Sequence, residues 1–359
     1  MMQKKKRVMQ MRKFDLNKEA EQILTPSVIN LLTEIHEYKG KQDLYIEAKP
    51  DVLSSLLSIA KVQSVSSSNK IEGIYTTDKR IKELVNEKVA PKNRNEEEIA
   101  GYRDVLELIH ENYNYINVNS NTILQLHRDL YKYSGVGIGG KYKTSQNYIE
   151  ETLDDGTKVT RFVPLNAVET PIAIEELCNS YNNEISIGKT DPLLLMVLFI
   201  FDFVSIHPFN DGNGRMSRLL TLLLLYKSNY IVGKYISIEK IIEKTKDSYY
   251  DVLKKSSNEW QNGENNYSFF AQYYLGIILN AYKEFSSRVE YFANNKLTAI
   301  ERVILLFEES YIPIKKSYIL EKCPDISETT VERVLNTLLK DGRIEKIPKG
   351  RFTEYRWLK

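Results

Sequence analysis

The stretch SIHPFNDGNGRMSRLL, residues 205–220, combines side chains that could hold and attack a phosphate group. His207 titrates near neutral pH, so it can take a proton from a hydroxyl nucleophile. Asp211 offers a hard oxygen ligand suited to Mg²⁺. Arg215 and Arg218 lie three residues apart, which puts both on one face of a helix and within reach of one polyphosphate. The pattern predicts a nucleotide site with a general base beside it.

Two helices must position these side chains. The apolar run at 192–206 is shorter than the ~20 residues that a membrane span needs. It therefore predicts a helix that is buried on all sides in the protein core. Pro208 ends that helix and favours an extended conformation for His207. The next helix begins at Gly214, and free backbone N–H groups at its start favour an anion site. The residues predicted to form this nest of N–H groups are Gly212, Asn213 and Gly214.

The alternative is a plain junction between two helices, with a structural histidine and two solvated arginines. A single histidine would favour that interpretation. Here a base, an acid, a Gly-Asn-Gly turn and two arginines all fall between residues 207 and 218. Together they favour the chemical interpretation.

Helical periodicity dominates the rest of the chain, so the predicted fold class is mainly α. Helices are predicted at 51–73, 95–113, 122–135, 173–185, 192–206, 214–228, 237–257 and 266–288. Asn95 is the predicted N-cap of the helix that starts there. Two β-prone runs around Asp155-Gly156 predict one hairpin at 147–163, which packs on the helical body or serves as a flap. The last ~65 residues, with Lys349-Gly350 at a wing tip, resemble a winged helix-turn-helix.

Composition excludes several classes of protein. The formal net charge of +2 over 359 residues gives no global field toward nucleic acid or membrane. Cys178 and Cys323 lie far apart without metal-ligand spacing, which indicates a reducing compartment and no disulfide framework. The basic N-terminus is not followed by an apolar segment, so no secretory signal is predicted. We therefore expect a cytoplasmic protein without membrane contact.

The segment HPFNDGNGRMSR resembles the signature of the Fic domain (filamentation induced by cAMP), His-Pro-Phe-x-Asp/Glu-Gly-Asn-Gly-Arg-x-x-Arg, at every fixed position. The likeness covers roughly residues 25–285 and includes GGKYKTSQNYI at 139–149 and RFVPL at 161–165. Lys143 stands where many relatives have arginine, a difference that we expect to leave the chemistry untouched. The resemblance implies a Fic-type helical bundle with the winged helix appended. Its parts are an N-terminal region at 1–94, a catalytic core at 95–230, a helical extension at 231–293 and the winged helix at 294–359.

The resemblance also implies a reaction. ATP and Mg²⁺ bind, AMP moves to a Ser, Thr or Tyr hydroxyl of a protein, and pyrophosphate leaves. Carried over by position, His207 is the base that deprotonates the hydroxyl, and Asp211 holds the metal. Arg215 contacts the α- and β-phosphates, and Arg218 contacts the γ-phosphate. Phe209 anchors the loop in the core, while Gly212, Asn213 and Gly214 form the anion nest.

Two further roles follow from the same resemblance. The hairpin at 147–163 would align the target segment by strand addition, which needs main-chain pairing rather than a sequence motif. Tyr249 and Tyr250 are candidates for the adenine side of the site. For these tyrosines ordinary helix packing remains the alternative.

The segment SSSNKIEGIYTT at 66–77 resembles the inhibitory motif of Fic proteins, Ser-x-x-x-Glu-Gly. Ser68 and Glu72 are four residues apart on one helix face, and Gly73 is a helix terminator. The resemblance implies a class with an N-terminal inhibitory helix at about 51–73. In that class Glu72 pairs with Arg218 and occupies the guanidinium that should bind the γ-phosphate. Without the resemblance, Glu72 would be interpreted as a solvated surface residue.

Other functions stay open at this point. The same residues could remove AMP from a modified protein, or use another nucleotide or phosphodiester donor. A DNA-binding regulator is the alternative outside enzymes, with residues 297–359 on the duplex and the helical domain sensing nucleotide. The winged helix could instead contact a protein. The sequence does not identify the target protein, and the chain itself is one candidate. The resemblance implies a homodimer.

Overall fold

The computed structural model describes residues 12–48, 50–135, 137–152, 155–294, 298–310, 312–323, 326–349 and 352–358. These residues are mostly helical, which confirms the mainly α prediction. The α-helices are α1 (Leu16–Ile23), α2 (Pro26–Ala48), α3 (Pro50–Ile71), α4 (Asp78–Asn86), α5 (Arg94–Asn112), α6 (Ser120–Leu130), α7 (Thr170–Ile187), α8 (Pro192–Ile206), α9 (Asn213–Lys227), α10 (Ile238–Lys244), α11 (Lys246–Ser256), α12 (Ser268–Asn294), α13 (Ala299–Glu309), α14 (Lys316–Lys322) and α15 (Glu328–Lys340). The strands are β1 (Ile149–Thr152), β2 (Lys158–Phe162), β3 (Ile314–Lys315), β4 (Ile344–Lys349) and β5 (Phe352–Trp357).

Helix α8 lies at the centre of the main apolar core, and its predicted bounds are confirmed. Every residue of α8 except Pro192 and Val204 is buried. The side chain of Asp191 caps its start by accepting a hydrogen bond from the backbone N–H of Leu193 at 2.8 Å. Helices α7, α9 and α12 pack against α8. A helix that is apolar on all sides therefore becomes the axis on which the neighbouring helices assemble.

Several predicted helix boundaries differ from the structure. Helix α5 begins with Asn93 as its N-cap, whose Oδ1 accepts from the N–H of Glu96 at 3.0 Å, so the prediction of Asn95 as cap is wrong. Asn95 lies inside the first turn, and its side chain donates to the carbonyl of Tyr75 at 3.0 Å. The helix predicted at 237–257 is two helices, α10 and α11, separated at Thr245. Helices α1, α2 and α4 lie in the N-terminal region at 1–94, which the sequence predicts to be helical without giving their bounds.

The predicted hairpin is present as the antiparallel pair β1 and β2. Gly156 has φ 82°, and Asp155 Oδ1 accepts from the N–H of Thr157 at 2.8 Å, which closes the turn. The hairpin is tied to the helical body by an ion pair between Glu151 and Lys254, 2.7 Å apart. It therefore lies against α11 rather than projecting freely.

The C-terminal residues have an apolar cluster of their own, which includes Val303, Phe307 and Leu335. Strands β3, β5 and β4 form an antiparallel sheet in that order, with α13, α14 and α15 preceding the β4–β5 pair. This order is compatible with the predicted winged helix-turn-helix. The predicted wing tip at Gly350 lies outside the described residues.

Candidate active site

His207 ends α8 in a left-handed conformation, with φ 52° and ψ 63°. The predicted extended conformation is therefore wrong. The backbone N–H of His207 still bonds to the carbonyl of Phe203 at 3.1 Å, so the chain leaves the helix within this one residue, before Pro208. A non-glycine residue in this region costs about 1–2 kcal/mol. Such strain is typical of residues held in place by a functional site.

The surroundings of His207 keep its imidazole neutral. Burial lowers the pKa of His207 to about 4, and the charge of Lys143 acts in the same direction. Glu72 and Asp211 act in the opposite direction. Nδ1 lies 3.3 Å from the carbonyl oxygen of Val204. Because a carbonyl only accepts, the proton of the neutral ring is on Nδ1, and Nε2 is left as the basic nitrogen.

The loop between α8 and α9 is closed by a side chain of the motif. Asn213 Oδ1 accepts from the backbone N–H of Phe209 at 2.9 Å, and Asn213 Nδ2 donates to the carbonyl of Phe209 at 2.8 Å. Phe209 is fully buried, and its ring stacks on that of His127 with centroids 3.7 Å apart. Gly212, at φ 81°, is the N-cap residue of α9. The loop is thus fixed by Asn213 and Phe209, and α9 points its first backbone N–H groups into the site.

Arg215 is only 1% exposed, and only part of its guanidinium has partners. Nη2 lies 2.8 Å from Glu98 Oε2 and donates to the hydroxyl of Tyr131 at 2.7 Å. Nε and Nη1 are buried and have no hydrogen-bond partner. Leaving a buried donor unpaired costs about 1–3 kcal/mol. Two such donors on one arginine, beside a helix N-terminus, indicate that an acceptor binds there.

Arg218 is buried to a similar extent, but its guanidinium is occupied by the segment that resembles the inhibitory motif. Nε donates to Ser68 Oγ at 2.8 Å, and Nη2 donates to the carbonyl of Ser68 at 2.9 Å. Nη2 also donates to Glu72 Oε1 at 2.7 Å. The sequence expectation that Glu72 and Arg218 meet is thus a direct contact in the structure.

The carboxylate of Glu72 also lies on the start of α9. A Cβ atom built on Gly214 would come within 2.2 Å of Glu72 Oε1. Only glycine lets the carboxylate approach the backbone this closely. Glu72 directly follows the last residue of α3, and Gly73 turns the chain away with φ 78°. A carboxylate of the chain therefore occupies the position where helix N–H groups favour an anion.

Helix α3 is held in this position by a buried carboxylate on α10. Glu239 accepts from Ser64 Oγ at 2.7 Å and from the hydroxyl of Tyr102 at 2.9 Å. Ser67 on the same helix donates to Glu243 at 2.7 Å. Because Ser64 and Ser67 precede Ser68 on α3, these contacts fix the part of the helix that presents Ser68 to the site.

Asp211 fits the predicted metal role. Its side chain is 50% exposed, and Oδ1 accepts from the N–H of Gly212 at 2.7 Å. Mg²⁺ is commonly bound by one or two carboxylates together with phosphate oxygens and water, so one exposed carboxylate beside an anion site suffices. Among the described residues no group of three or more His, Cys, Asp or Glu side chains could hold a metal ion. Phosphate and water would therefore supply the other ligands.

The two tyrosines differ. Tyr249 is buried, and its ring packs against those of Phe270 and Tyr273 between α11 and α12. Tyr250 is half-buried, with the guanidinium carbon of Arg161 5.9 Å from its ring centroid. Tyr249 thus has the surroundings expected of helix packing. Tyr250, beside a cation on the hairpin, has those expected at the edge of a site.

Several residues of the site were missed in the sequence. Glu98 and Tyr131 hold Arg215, and His127 Nε2 lies 3.1 Å from the carbonyl of Asp211. Glu98, Tyr131 and His127 stand in no recognisable local motif. Lys143 contacts the same loop: it is buried beneath the end of α8, and its Nζ donates to the carbonyl of Ile206 at 3.0 Å. The effect of lysine in place of arginine at this position stays a prediction.

The C-terminal unit presents mixed charges. On α15 the exposed side chains include Glu328 and Glu332, which form ion pairs with Lys316 at 2.8 and 2.7 Å. Arg333 and Lys340 on the same helix are exposed as well.

No helix in the described ranges is both long and apolar enough to cross a membrane.

Comparison with known proteins identifies the family. The model of the Fic/DOC family matches residues 117–225. A Fido domain-containing protein of Dictyostelium discoideum is 31% identical over 125 residues, which cover 34% of this chain and 82% of that protein. Protein adenylyltransferase fic-1 of Caenorhabditis elegans is 26% identical over 113 residues, 32% of this chain and 20% of that protein.

The fold is shared along almost the whole chain. The crystal structure of a Fic family protein from Desulfovibrio desulfuricans G20 superposes with a TM-score of 0.61 at 21% identity, over 93% of this chain and 97% of that one. The match to fic-1, in contrast, spans only about a fifth of its length. The family model, the Dictyostelium relative and the shared fold together show that this chain belongs to the Fic/DOC family.

Proposed function

We propose that this protein is a protein adenylyltransferase whose own Glu72 inhibits it. One observation supports the proposal above the others. The carboxylate of Glu72 lies on Gly214 and Arg218, where the site would hold an anion, while Arg215 keeps two buried donors without partners. These contacts are the ones expected of a polyphosphate site in which a carboxylate of the chain itself occupies part of the anion position. The name of the related fic-1 protein agrees with this reaction.

The proposed step is an in-line attack by a protein hydroxyl on the α-phosphorus of ATP. A bond forms between the hydroxyl oxygen and phosphorus, and the bond from phosphorus to the α,β-bridging oxygen breaks. His207 Nε2 takes the hydroxyl proton, and pyrophosphate carries away the electron pair of the broken bond. The free N–H groups of Arg215 and the start of α9 stabilise charge on the phosphates. Mg²⁺, when bound to Asp211, would neutralise phosphate charge.

Inhibition follows from competition for the same groups. The γ-phosphate of ATP and the carboxylate of Glu72 both require Arg218 and the backbone at Gly214. While Glu72 occupies them, ATP binds weakly or in a pose that is unfit for in-line attack. Charge-assisted hydrogen bonds between arginine and carboxylate are among the stronger polar contacts, and here the arginine is buried. Release of Glu72 is therefore the step that activates the enzyme.

The test compares four proteins incubated with ATP, Mg²⁺ and a cell extract, or with ATP and Mg²⁺ alone. Glu72→Gly is expected to raise AMP incorporation about 10- to 100-fold, because it frees Arg218 for the γ-phosphate. Glu87→Gly is the matched control, since Glu87 is an exposed glutamate at the end of the neighbouring helix α4. His207→Ala in the Glu72→Gly protein should reduce transfer about 10²- to 10⁴-fold and leave nucleotide binding intact.

Mass spectrometry of intact and digested protein measures the result. Addition of one AMP, mapped to a residue, gives the reaction and shows whether the chain modifies itself. Equal incorporation by wild type and Glu72→Gly would contradict inhibition by Glu72. Loss of AMP from a pre-modified target, dependent on intact Glu72, would instead support the reverse reaction.

For the C-terminal unit we propose a protein contact rather than DNA. Two glutamates on the exposed face of α15 would face the phosphate backbone if this helix entered a major groove. A gel-shift titration of the full-length protein with duplex DNA at low salt tests this. A salt-dependent shift would contradict the proposal and support the DNA-binding alternative.

A further inference from the structure

Lys143 lies buried directly beneath the residue assigned as the base. It is 2% exposed. Its Nζ donates to the carbonyl of Ile206 at 3.0 Å and to Asn147 Oδ1 at 2.9 Å. Its backbone N–H donates to the carbonyl of Pro208 at 2.9 Å. One residue thus holds the chain on both sides of His207.

Asn147 completes the same arrangement. Its Nδ2 donates to the carbonyl of His207 at 3.4 Å and to that of Phe209 at 3.1 Å. Its Oδ1 accepts from Lys143, so the side chain is fixed at both ends. Lys143 and Asn147 therefore bind four consecutive carbonyls, those of residues 206 to 209. Carbonyls at and beyond a helix end have no partner within the helix, and here two side chains and one backbone N–H supply the donors around the left-handed His207, whose φ is 52°.

We propose that Lys143 and Asn147 are positioning residues for His207, and that the charge of Lys143 adds to burial in disfavouring the imidazolium form of His207. The proposal rests on the assignment of His207 as the base. Neither residue touches the reacting atoms; both act through the loop. A structural role alone would hold the loop without affecting the proton affinity of the imidazole.

The charge of Lys143 changes the pKa of His207 in a defined direction. The charged groups that act on His207 are Lys143, which disfavours imidazolium, and Glu72 and Asp211, which favour it. Burial lowers the pKa of Lys143 to about 8, so Lys143 is mostly charged at pH 7. Removing that charge raises the pKa of His207, because the repulsion of imidazolium is lost. Replacing Lys143 by arginine keeps the charge and leaves the pKa of His207 low.

An NMR titration of the histidine rings in the full-length protein tests the charge without requiring activity. The chain has four histidines, and His207→Asn identifies the resonance of His207. In Lys143→Met the titration midpoint of His207 is expected to rise by roughly 0.5–1 pH unit. Lys143→Arg and Lys141→Met should leave it unchanged. Lys141 is the matched control because it is exposed and donates to the carbonyl of Gly137 at 3.0 Å.

A kinetic test in the Glu72→Gly background separates position from charge. Asn147→Ala is expected to lower kcat about tenfold, with an unchanged KM for ATP and an unmoved acid limb of the pH profile. Lys143→Met should lower kcat and also move the acid limb to higher pH. If Lys143→Met does not fold, Lys143→Gln carries the same test, since it removes the charge and keeps a donor.

The outcomes are distinct. An unmoved His207 titration in folded Lys143→Met or Lys143→Gln would overturn the electrostatic part. A rise in the KM for ATP with unchanged kcat in Asn147→Ala would overturn the positioning part. If the Glu72→Gly protein transfers no AMP, the proposed function fails, and the titration still supports or overturns the effect of Lys143.

Discussion

Arg215 and Arg218 begin the same helix, are equally buried and differ in what surrounds them. Arg215 is held from below by Glu98 and Tyr131 and keeps two buried donors without partners. Nε and Nη2 of Arg218 are occupied by Ser68, which lies on α3, and by Glu72, which directly follows α3. Arg215 thus keeps donors that a ligand could use, whereas Arg218 is bound to another part of the chain.

The difference shows how a single motif can carry two functions. The partners of Arg215 come from α5 and the end of α6, which belong to the body of the fold. The partners of Arg218 come from a helix end that directly precedes a left-handed glycine turn. Contacts from the body of the fold therefore orient one arginine, and contacts from a helix end cover the other.

The largest effect is expected from Arg215→Ala. In the Glu72→Gly background it should reduce AMP transfer about 10²- to 10³-fold, because phosphate charge loses its fixed donors. It should also lower the free energy of unfolding by roughly 3 kcal/mol, because buried Glu98 loses a partner. Urea unfolding and transfer assays measure the two effects.

A second substitution separates these two roles. Adding Glu98→Gln to Arg215→Ala should restore much of the stability and none of the activity. Recovery of activity in the double variant would mean that Arg215 acts only through the fold.

A smaller effect is expected from Ser68→Ala. It removes the Oγ partner of Arg218 and keeps Glu72, so AMP transfer should rise a few-fold, well below the rise in Glu72→Gly. The free energy of unfolding should fall by about 1 kcal/mol. Ser66→Ala is a suitable control, since Ser66 lies on the same helix two residues earlier and is half-buried. An activation as large as that of Glu72→Gly would make Ser68, not Glu72, the principal inhibitory contact.

The last prediction concerns stability in acid and the Arg215 side of the site, and its effect vanishes at neutral pH. Burial lowers the pKa of His127 to about 4, and the charge of Arg215 adds to this. Between about pH 6.5 and 4 the unfolded chain binds a proton at His127 that the folded chain does not bind. The free energy of unfolding therefore falls as the pH falls through this range. In His127→Gln the loss of unfolding free energy with acid should be smaller, by up to about 1.4 kcal/mol per pH unit. Urea unfolding at several pH values measures it, and an unchanged slope would contradict it.

The sequence was most informative where the site is local. The proposed base, the proposed metal ligand and both arginines fall in one run of residues, so their types and spacing alone predict a phosphate site. The helix bounds of α8 followed from an apolar run in which Asp202 is the one charged residue. The pairing of Glu72 with Arg218 came from the family resemblance, because no spacing rule connects residues so far apart.

The rest of the site depends on tertiary packing. Glu98 was visible only as one of three glutamates in the first turn of a helix, and nothing local distinguishes it from Glu96 and Glu97. The burial of Lys143 could not be predicted, because a lysine in a polar segment normally faces solvent. The conformation of His207 was misjudged because the preference of a residue before proline is outweighed by the hydrogen bonds of its neighbours.

The position of Glu72 just after the end of α3 also sets the timescale of activation. Ser64, Ser67 and Ser68 are fixed within the helix by partners on α10 and α9, so undocking α3 would require breaking a buried network. Release of Glu72 requires only that its ion pair with Arg218 breaks and that the final turn opens, where the N–H groups of Glu72, Gly73 and Ile74 bond back to Asn69 and Lys70. Opening of a helix end is faster than undocking of a whole helix. In the proposed enzyme, Glu72 would therefore leave Arg218 by local opening of this turn, and the resting activity would reflect how often ATP arrives while the turn is open.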